Sequence, residues 1–575
     1  MDKILRLPIL LFLLPLMVSA AAAVPSGDTV CETAESRYGT PLSPKYEYRA
    51  VWLTTIENLD WPRTRVTAPA DIERQKAELV VLLDSLQAMH INTVLLQTRV
   101  RGDVIYPSAI EPFSHVLTGT SGKNPGYDPL AFAIEECHRR GIQLHAWIVT
   151  LPLGKAEHIR RLGKWALPNR NGSLCTRYKG AWYMEPGNPA TADYITALVR
   201  EIVQAYDVDG IHLDYVRYPD TVDGYPDGAL YRKHGRGMSL AAWRRANITR
   251  VARSVYSAVK ELKPWVRVSC APLGKYNNLT RYSSLGWDAY NTVYQDAQGW
   301  MREGIMDILF PMLYFKDNNF YPFVLDWCEN RYGRHVAPGI GIYRLMREYG
   351  GWHPMEIERQ MRTSRTATAD GVMMFRTAHL VGNAGGVRDI YTRVYDRPAL
   401  VPPMHWIAPA PSAPSLAGCT RDDGGVSLQW NPVQHTPGFP AVRYNVYATI
   451  GDTVDIGNVD NLLSCGQSST SFRWSCRSNK AVTMAVTAVD ACGVESEPLV
   501  VPVPFGGSME RGDIIRLPEP KSWGQRISVK DVYGRRVHYG KYSRSFNVTG
   551  FSTGRYILTV LNRHGEILYR TEFIR

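Results

Sequence analysis

Cysteine is scarce in this 575-residue chain: nine residues, and no two spaced as C-x-x-C, which argues against a cysteine zinc site. There is no Walker loop and no dinucleotide fingerprint, so nucleotide-cofactor chemistry lacks its usual phosphate cradle. No Gly-x-Ser-x-Gly elbow occurs, which argues against an esterase. Long runs of one charge are also missing. The net charge of +12 is scattered, apart from short pairs such as Arg160-Arg161 and Arg244-Arg245, and no nucleic-acid partner is implied. The only sustained apolar run, Leu7 to Val18, follows Lys3 and Arg6 and ends in Ser19 and four alanines. That is the pattern of a secretory signal over 1–23, too short for a stable bilayer span. An exported chain is expected, in periplasm, at the cell surface or outside, with 24–44 as its N-terminal segment.

What is present is a repeated strand-then-helix pattern over 45–400. Candidate strands are Tyr48–Thr55, Thr93–Gln97, Gln143–Val149, Gly210–Asp214, Arg267–Ala271, Ile308–Leu313, Val336–Ile342 and Gly371–Phe375. Helical periodicity lies between them, as in Ala70–His90 with Leu79, Leu82, Leu83 and Leu86 on one face. Eight such units predict an α/β fold, a (β/α)8 TIM barrel. A doubly wound open sheet is the alternative, disfavoured because no glycine-rich turn follows the first strand.

After Arg397 the composition changes. Prolines 402, 403, 409, 411 and 414 mark a linker over 401–414, and short alternating strands follow. The segment 415–505 resembles a fibronectin type III domain in Ser427-Leu-Gln-Trp430, Tyr444-Asn-Val-Tyr447 and Ala485-Val-Thr-Ala-Val-Asp490. Export permits disulfides, and Cys465 with Cys476 and Cys419 with Cys492 are candidate pairs. The segment 511–575 forms another β unit. Its Gly534-Arg535 turn, Phe551-Ser-Thr-Gly-Arg-Tyr556 and Glu572-Phe-Ile-Arg575 tail resemble the C-terminal sorting domain of type IX secretion, which implies export machinery as a partner.

In a barrel the C-terminal strand ends share one mouth, however distant in sequence. Asp214 ends the fourth strand in Val208-Asp-Gly-Ile-His212-Leu-Asp-Tyr-Val-Arg217-Tyr218-Pro219, a carboxylate set among aromatic and basic side chains. Gln97, Arg99, Asp103 and Tyr106 follow the second strand, His145 and Trp147 lie on the third, and Asn188 precedes the fourth. Asp296 precedes the sixth strand and Tyr314 ends it. Aromatic faces stack on sugar rings, and amides and guanidinium groups reach hydroxyls. Glycoside cleavage needs two carboxyl groups, one to protonate the leaving oxygen and one to attack or to activate water. Asp214 is the first choice. Asp103 and Asp296 compete to be its partner, with Glu57, Asp60 and Asp317 behind them. Arg99 or Arg217 beside a carboxylate would keep it ionised. Gln97, Arg99, Tyr106, His145, Trp147, Asn188, His212, Arg217, Tyr218 and Tyr314 are candidate sugar contacts. No cofactor or metal is expected, although His145, His212 and Asp214 are a conceivable ligand set.

Arg49-Ala-Val-Trp-Leu-Thr-Thr55, Asp60-Trp-Pro62, Gln97-Thr-Arg-Val-Arg-Gly-Asp103-Val-Ile-Tyr-Pro-Ser108 and Asp209-Gly-Ile-His-Leu-Asp214 together resemble glycoside-hydrolase-like family 10. So do Arg217-Tyr-Pro219, Tyr294-Gln-Asp296 and Asp307-Ile-Leu-Phe-Pro311 with Tyr314. The resemblance spans Tyr46 to near Arg397. It implies a glycosidase-like barrel, and some members are similar to enzymes that cleave peptidoglycan glycan strands lacking stem peptides. Two positions depart from the family pattern: Tyr215 follows Asp214 where a second acid is common, and Met312 stands where glutamine is usual. The expected activity is an exported polysaccharide hydrolase acting on peptidoglycan glycan strands. A glycosidase for host or dietary glycans and a non-catalytic glycan-binding barrel are the alternatives.

Overall fold

Eight parallel strands close on themselves in the computed structural model, which describes residues 43–280, 286–422, 424–476, 478, 480–503, 514–518 and 525–575. They are β1 (Tyr48–Leu53), β2 (Thr93–Arg99), β3 (Gln143–Val149), β4 (Gly210–Asp214) and β5 (Arg267–Cys270). The ring continues through β6 (Ile308–Leu309 and Met312–Leu313), β7 (His335–Val336 and Gly339–Ile340) and β8 (Gly371–Met374). Each pairs with the next, and β8 returns to β1 with Tyr48 opposite Gly371. The open doubly wound alternative is therefore excluded. The chain folds as an α/β TIM barrel with antiparallel sheets after it.

The expected sixth and seventh strands are each broken in two, at Phe310-Pro311 and Ala337-Pro338. A proline cannot donate to the ladder, so pairing stops and resumes one residue later. Closure itself needs Gly371. At its φ of +139° a Cβ would lie 2.1 Å from the Tyr48 carbonyl oxygen, so no other residue admits the first and last strands at this distance.

Strand alternation sorts the core into two layers. From β1, Val51 and Leu53 face the helices, among them Pro69–Ala88 through Leu79, Leu83 and Leu86. Tyr48, Ala50 and Trp52 face inward and meet Leu95, Trp147, Phe310 and Met373 in the barrel axis. Burying each of these large apolar side chains contributes roughly 1.5–3 kcal/mol. The inner aromatic layer is also the floor of the site.

Behind the barrel, three strands (Ser415–Asp422, Gly425–Asn431, Ser471–Trp474) and four (Leu462–Gln467, Arg443–Ile450, Val482–Val489, Leu499–Val503) form two antiparallel sheets around one core. A last unit has a four-stranded sheet, from Arg526–Asp531 to Ile567–Ile574, and a two-stranded one. The expected disulfides are absent: Cys419, Cys465, Cys476 and Cys492 are all free thiols. Cys419 and Cys476 sit in the sandwich core, Cys492 packs with Met404 and Val494 in a separate cluster, and Cys465 is exposed. Among the described residues no helix is long and apolar enough to cross a membrane. The signal over 1–23 lies outside the described residues, as does Cys31.

The proline-rich segment is anchored to the barrel. Met404 is fully buried, and Trp406 donates to Asp307 Oδ1 at 2.9 Å while its ring meets His335 and the Arg334 guanidinium. On the far side of the interface, the Glu495 carboxylate accepts from the hydroxyls of Tyr46, Tyr447 and Thr487 and pairs with Lys45 at 2.7 Å. Those donors hold the Glu495 carboxyl below its ordinary value of 4.5 despite its burial. Its contribution to stability is therefore present above pH 4.5 and lost as acid protonates the folded form. Glu495→Ala strands four partners, two buried and two half-buried, and is expected to destabilise the chain by about 3 kcal/mol at neutral pH. Urea midpoints should show that difference at pH 7 and show it shrinking below pH 4.

Candidate active site

The strand ends open into a cleft of about 690 Å³. Its floor and near wall come from Thr54 after β1, Gln97 of β2, Trp147 of β3, Asp214 of β4, and Met312, Tyr314 and Phe375 at β6 and β8. The long connection after β3 supplies the far wall. It folds into a small antiparallel sheet of Pro152–Lys155, Cys175–Tyr178 and Ala181–Met184, and sets Trp182 and Tyr183 against the opening. A third side comes from Tyr215, Arg217 and Asp220.

Asp214 is 5% exposed, and both carboxyl oxygens are engaged. The Trp147 indole N–H donates to Oδ2 at 3.1 Å, and the Tyr215 backbone N–H donates to Oδ1 at 2.7 Å. Thr150 fixes the strand end by donating its backbone N–H and its hydroxyl to the Asp214 carbonyl, each at 2.9 Å. Burial pushes the carboxyl up to about 6, against the opposing pull of the Arg217 charge and the two donors. A carboxylic acid that holds its proton to pH 6, at the floor of a cleft, can protonate a leaving oxygen. Tyr215 carries a left-handed φ of 52°, a strained geometry for a bulky residue that turns the chain sharply after β4.

Six of the thirteen expected site residues line this cleft: Asp214, Gln97, Trp147, Arg217, Tyr218 and Tyr314. Gln97 acts through its neighbours, because its Oε1 accepts the N–H groups of Thr55 and Ile56 at 3.0 and 2.8 Å and shapes the turn after β1. Arg217 pairs with Asp220 at 2.6 Å and lies over the Tyr215 and Trp287 rings. Tyr218 supports the wall from below, its ring fully buried and its hydroxyl accepting from Asn247. Tyr314 joins Trp52 and Phe375 in an aromatic floor.

The other seven sit elsewhere. Asp296 caps the helix Ala297–Arg302, accepting the Gly299 N–H at 3.0 Å and the Tyr276 hydroxyl at 2.6 Å, and it lies outside the cleft. Asp103 is wholly buried beneath the wall, where Oδ1 accepts the Arg101 N–H at 3.2 Å. Arg99 is also buried and grips Glu111 with two nitrogens at 2.7 and 2.6 Å. Tyr106 donates to Glu201 at 2.9 Å, and Asn188 shapes the entry to the helix Ala190–Ala205. His145 is closed inside the barrel, its ring packed where a side chain at Gly210 would otherwise fall, and burial presses its pKa down to about 3. His212 is buried with both ring nitrogens used: Nε2 accepts from the Trp52 indole at 3.2 Å, and Nδ1 meets the Ser269 hydroxyl at 3.0 Å. It has no lone pair left for a metal shared with His145 and Asp214.

One other group has metal-like proximity. Ligand atoms of Asp103, His115 and His158 lie within 4.8 Å of one another. Arg161, which can only donate, points at His115 Nε2 at 2.6 Å, so the proton of neutral His115 sits on Nδ1. That Nδ1–H faces Asp103 Oδ2 at 3.9 Å. His158 Nε2 spends its proton on the Arg101 carbonyl at 3.0 Å. Asp103 and His158 thus brace the Arg101 loop, with His115 beside them.

Glu57 is an exposed acid facing the cleft from the turn after β1, with a left-handed φ of 52°, and unlike Glu157 and Asp220 it has no cationic partner among the described residues. Arg101, Lys155, Trp182 and Tyr183 also line the cleft and escaped the sequence reading. The adjacent aromatic pair Trp182-Tyr183 in a long insertion after β3 was the available signal.

Residues 47–359 match the family described as Glycosyl hydrolase-like 10. The chain belongs to that family. "Glycosyl hydrolase YngK" of Bacillus subtilis (strain 168) is 32% identical over 405 residues, covering 67% of this chain and 79% of the relative. "Glycosyl hydrolase DigH" of Escherichia coli (strain K12) is 32% identical over 333 residues, 54% of this chain and 75% of the relative. Among solved structures, the glycoside hydrolase domain of PgaB (BpsB) from Bordetella bronchiseptica aligns with a TM-score of 0.41 at 14% identity, covering 60% of this chain and 98% of that one. Alpha-L-fucosidase isoenzyme 2 from Paenibacillus thiaminolyticus aligns at 0.42 and 18%, covering 64% and 52%. The chain is a glycoside hydrolase.

If Asp214 supplies the proton, kcat/KM falls as pH rises through about 6. The Trp147 hydrogen bond stabilises the ionised form, so Trp147→Phe should move this alkaline limb to higher pH. A pH–rate profile of the two proteins checks the direction. Asp214→Asn should lower kcat by about 10²–10⁴-fold with little change in KM.

Proposed function

We propose that this enzyme is exported and cleaves peptidoglycan glycan strands, with Asp214 as general acid and Glu57 as the second carboxylate. The observation that carries the reading is the buried, proton-retaining Asp214 at the floor of an aromatic cleft large enough for several sugar rings. Trp182, Tyr183 and Tyr314 offer faces to pyranose rings, and Asp214 is placed to give its proton to the glycosidic oxygen as the bond to the anomeric carbon breaks. Electron deficiency then builds at that carbon. Glu57, an exposed acid of the same cleft, meets it directly or through water. Asp103 and Asp296, engaged in loop bracing and helix capping, do not serve this step. Support for the peptidoglycan strand comes from the sequence resemblance and from a cleft whose open mouth admits a polymer. Support for export comes from the signal pattern over 1–23 and from the sorting-like turns of the last β unit.

The test is incubation of the purified protein with glycan strands stripped of stem peptides, with intact sacculi and with host-type N-acetylglucosamine polymers. Soluble oligosaccharides released from the stripped strands support the reading. Release only from the host-type polymer moves the substrate, and binding without release from any of them removes the hydrolase assignment of the cleft. Glu57→Gln should reduce kcat at least 10²-fold while leaving strand binding in place; a variant that turns over normally would return the second carboxylate to the open list. Fractionation of the native cells, with N-terminal sequencing of the mature chain, tests export.

A further inference from the structure

Four cationic side chains line the cleft, Arg101, Lys155, Arg161 and Arg217, and two of them have an acid beside them. Arg217 is matched by Asp220 at 2.6 Å, and Arg161 faces Glu157 at 3.6 Å. Arg101 and Lys155 line the same wall, and among the described residues neither has a carboxylate within 4.0 Å. Arg101 is the more informative. Its backbone is fastened at both ends of the peptide unit, the N–H to Asp103 Oδ1 at 3.2 Å and the carbonyl to His158 Nε2 at 3.0 Å. Its side chain crosses Gly154, whose φ is +94° and where a Cβ would come within 3.1 Å of the Arg101 Cδ. The fold therefore braces the backbone, clears a path for the stem, and leaves the half-buried guanidinium without an internal partner. Its charge acts electrostatically on Tyr183, Tyr215 and His158, which line the same cleft.

A half-buried guanidinium held this way loses hydration without gaining an internal counter-charge, and its fork of donors suits a planar carboxylate. We propose that Arg101, assisted by Lys155, forms a subsite for a carboxylate carried on the sugar next to the cleaved bond, either the lactyl ether of a muramic acid or a uronic acid. This rests on the reading of the cleft as a glycan-hydrolysing site and adds its specificity element. The same chemistry predicts a preference for stripped strands. Removing the stem peptide turns a neutral lactyl amide into an anion, which this wall is charged to receive.

The test uses the full chain and three polymers: stripped glycan strands, the same strands with lactyl carboxylates converted to methylamides, and an alternating uronate–N-acetylglucosamine polymer. The wild-type kcat/KM for native strands should exceed that for amidated strands about tenfold or more. Arg101→Gln should collapse this ratio toward one, Arg101→Lys should retain part of it, and Lys155→Gln should reduce it partially. Cleavage of the uronate polymer with the same Arg101 dependence assigns the carboxylate to a uronic acid. Equal rates on native and amidated strands, or a ratio that survives in Arg101→Gln, overturns the subsite while leaving glycan hydrolysis intact. If no polymer is cleaved, the hydrolase reading fails, and the native-to-amidated ratio of dissociation constants decides the subsite instead. Thermal melting of each variant against wild type shows whether the loop has kept its fold.

Discussion

Dehydration of the Asp214 carboxyl is the constraint around which the site is organised. Taken from water into the barrel mouth, the ionised form is disfavoured, and two donors and one guanidinium recover only part of the loss. The result is a carboxyl raised to about 6, above the ordinary aspartate value. A fuller set of donors would leave a permanently ionised aspartate unable to act as an acid near neutrality. A drier pocket would give an acid too weak to release its proton. The Trp147 indole, the Tyr215 N–H and the distance to Arg217 set the balance, and each depends on the strand registers of β3 and β4, where Trp147 pairs with His212 and Val149 with Asp214.

Much of the barrel was legible in the sequence because strand position follows from apolar alternation and turn residues. Gln143–Val149 and Gly210–Asp214 end in the structure where the pattern ends, while the sixth and seventh strands break at prolines that the pattern passed over. Asp214 was legible for the same reason, since a carboxylate on the last residue of a barrel strand points into the mouth. Beyond the strand ends this logic stops. Asp103, Asp296, Asn188 and Tyr106 all lie in connecting segments, where the residue types that bind sugars are also those that cap helices and brace loops. Side-chain direction there depends on turns such as the left-handed Gly102, whose outcome no residue pattern announces. Arg99 shows a second source of error: an arginine beside a presumed site was as well suited to a buried pair with Glu111, twelve residues on.

Two of the eleven left-handed non-glycine residues among those described border the cleft. Glu57 and Tyr215 both occupy the left-handed region, at a cost of order 1–3 kcal/mol each, and both border the cleft. Arg101 and Lys155 forgo ion pairs on the wall beside them. Elsewhere in the barrel the fold closes such debts: Arg99 meets Glu111, Arg244 meets Asp227 and Lys260 meets Asp307. On the cleft wall, half-buried Arg101 and exposed Lys155 are left without a carboxylate partner where a ligand would lie.

The β-domains reach the barrel floor through Arg267. Arg267 ends its guanidinium on the carbonyls of Pro402 and Cys492, and its Nε donates to the Tyr48 hydroxyl inside the barrel. Tyr48 in turn meets His335 and packs on Phe310, the ring that also contacts Trp52 and His212. A continuous packed path therefore joins the sandwich to the aromatic layer beneath Asp214. Loss of the sandwich would strip Arg267 of the Cys492 carbonyl and uncover Met404 and Trp406. The barrel would keep its strand pairing but lose the constraint on its inner rings. On this physical ground the sandwich acts as a brace for the floor of the cleft.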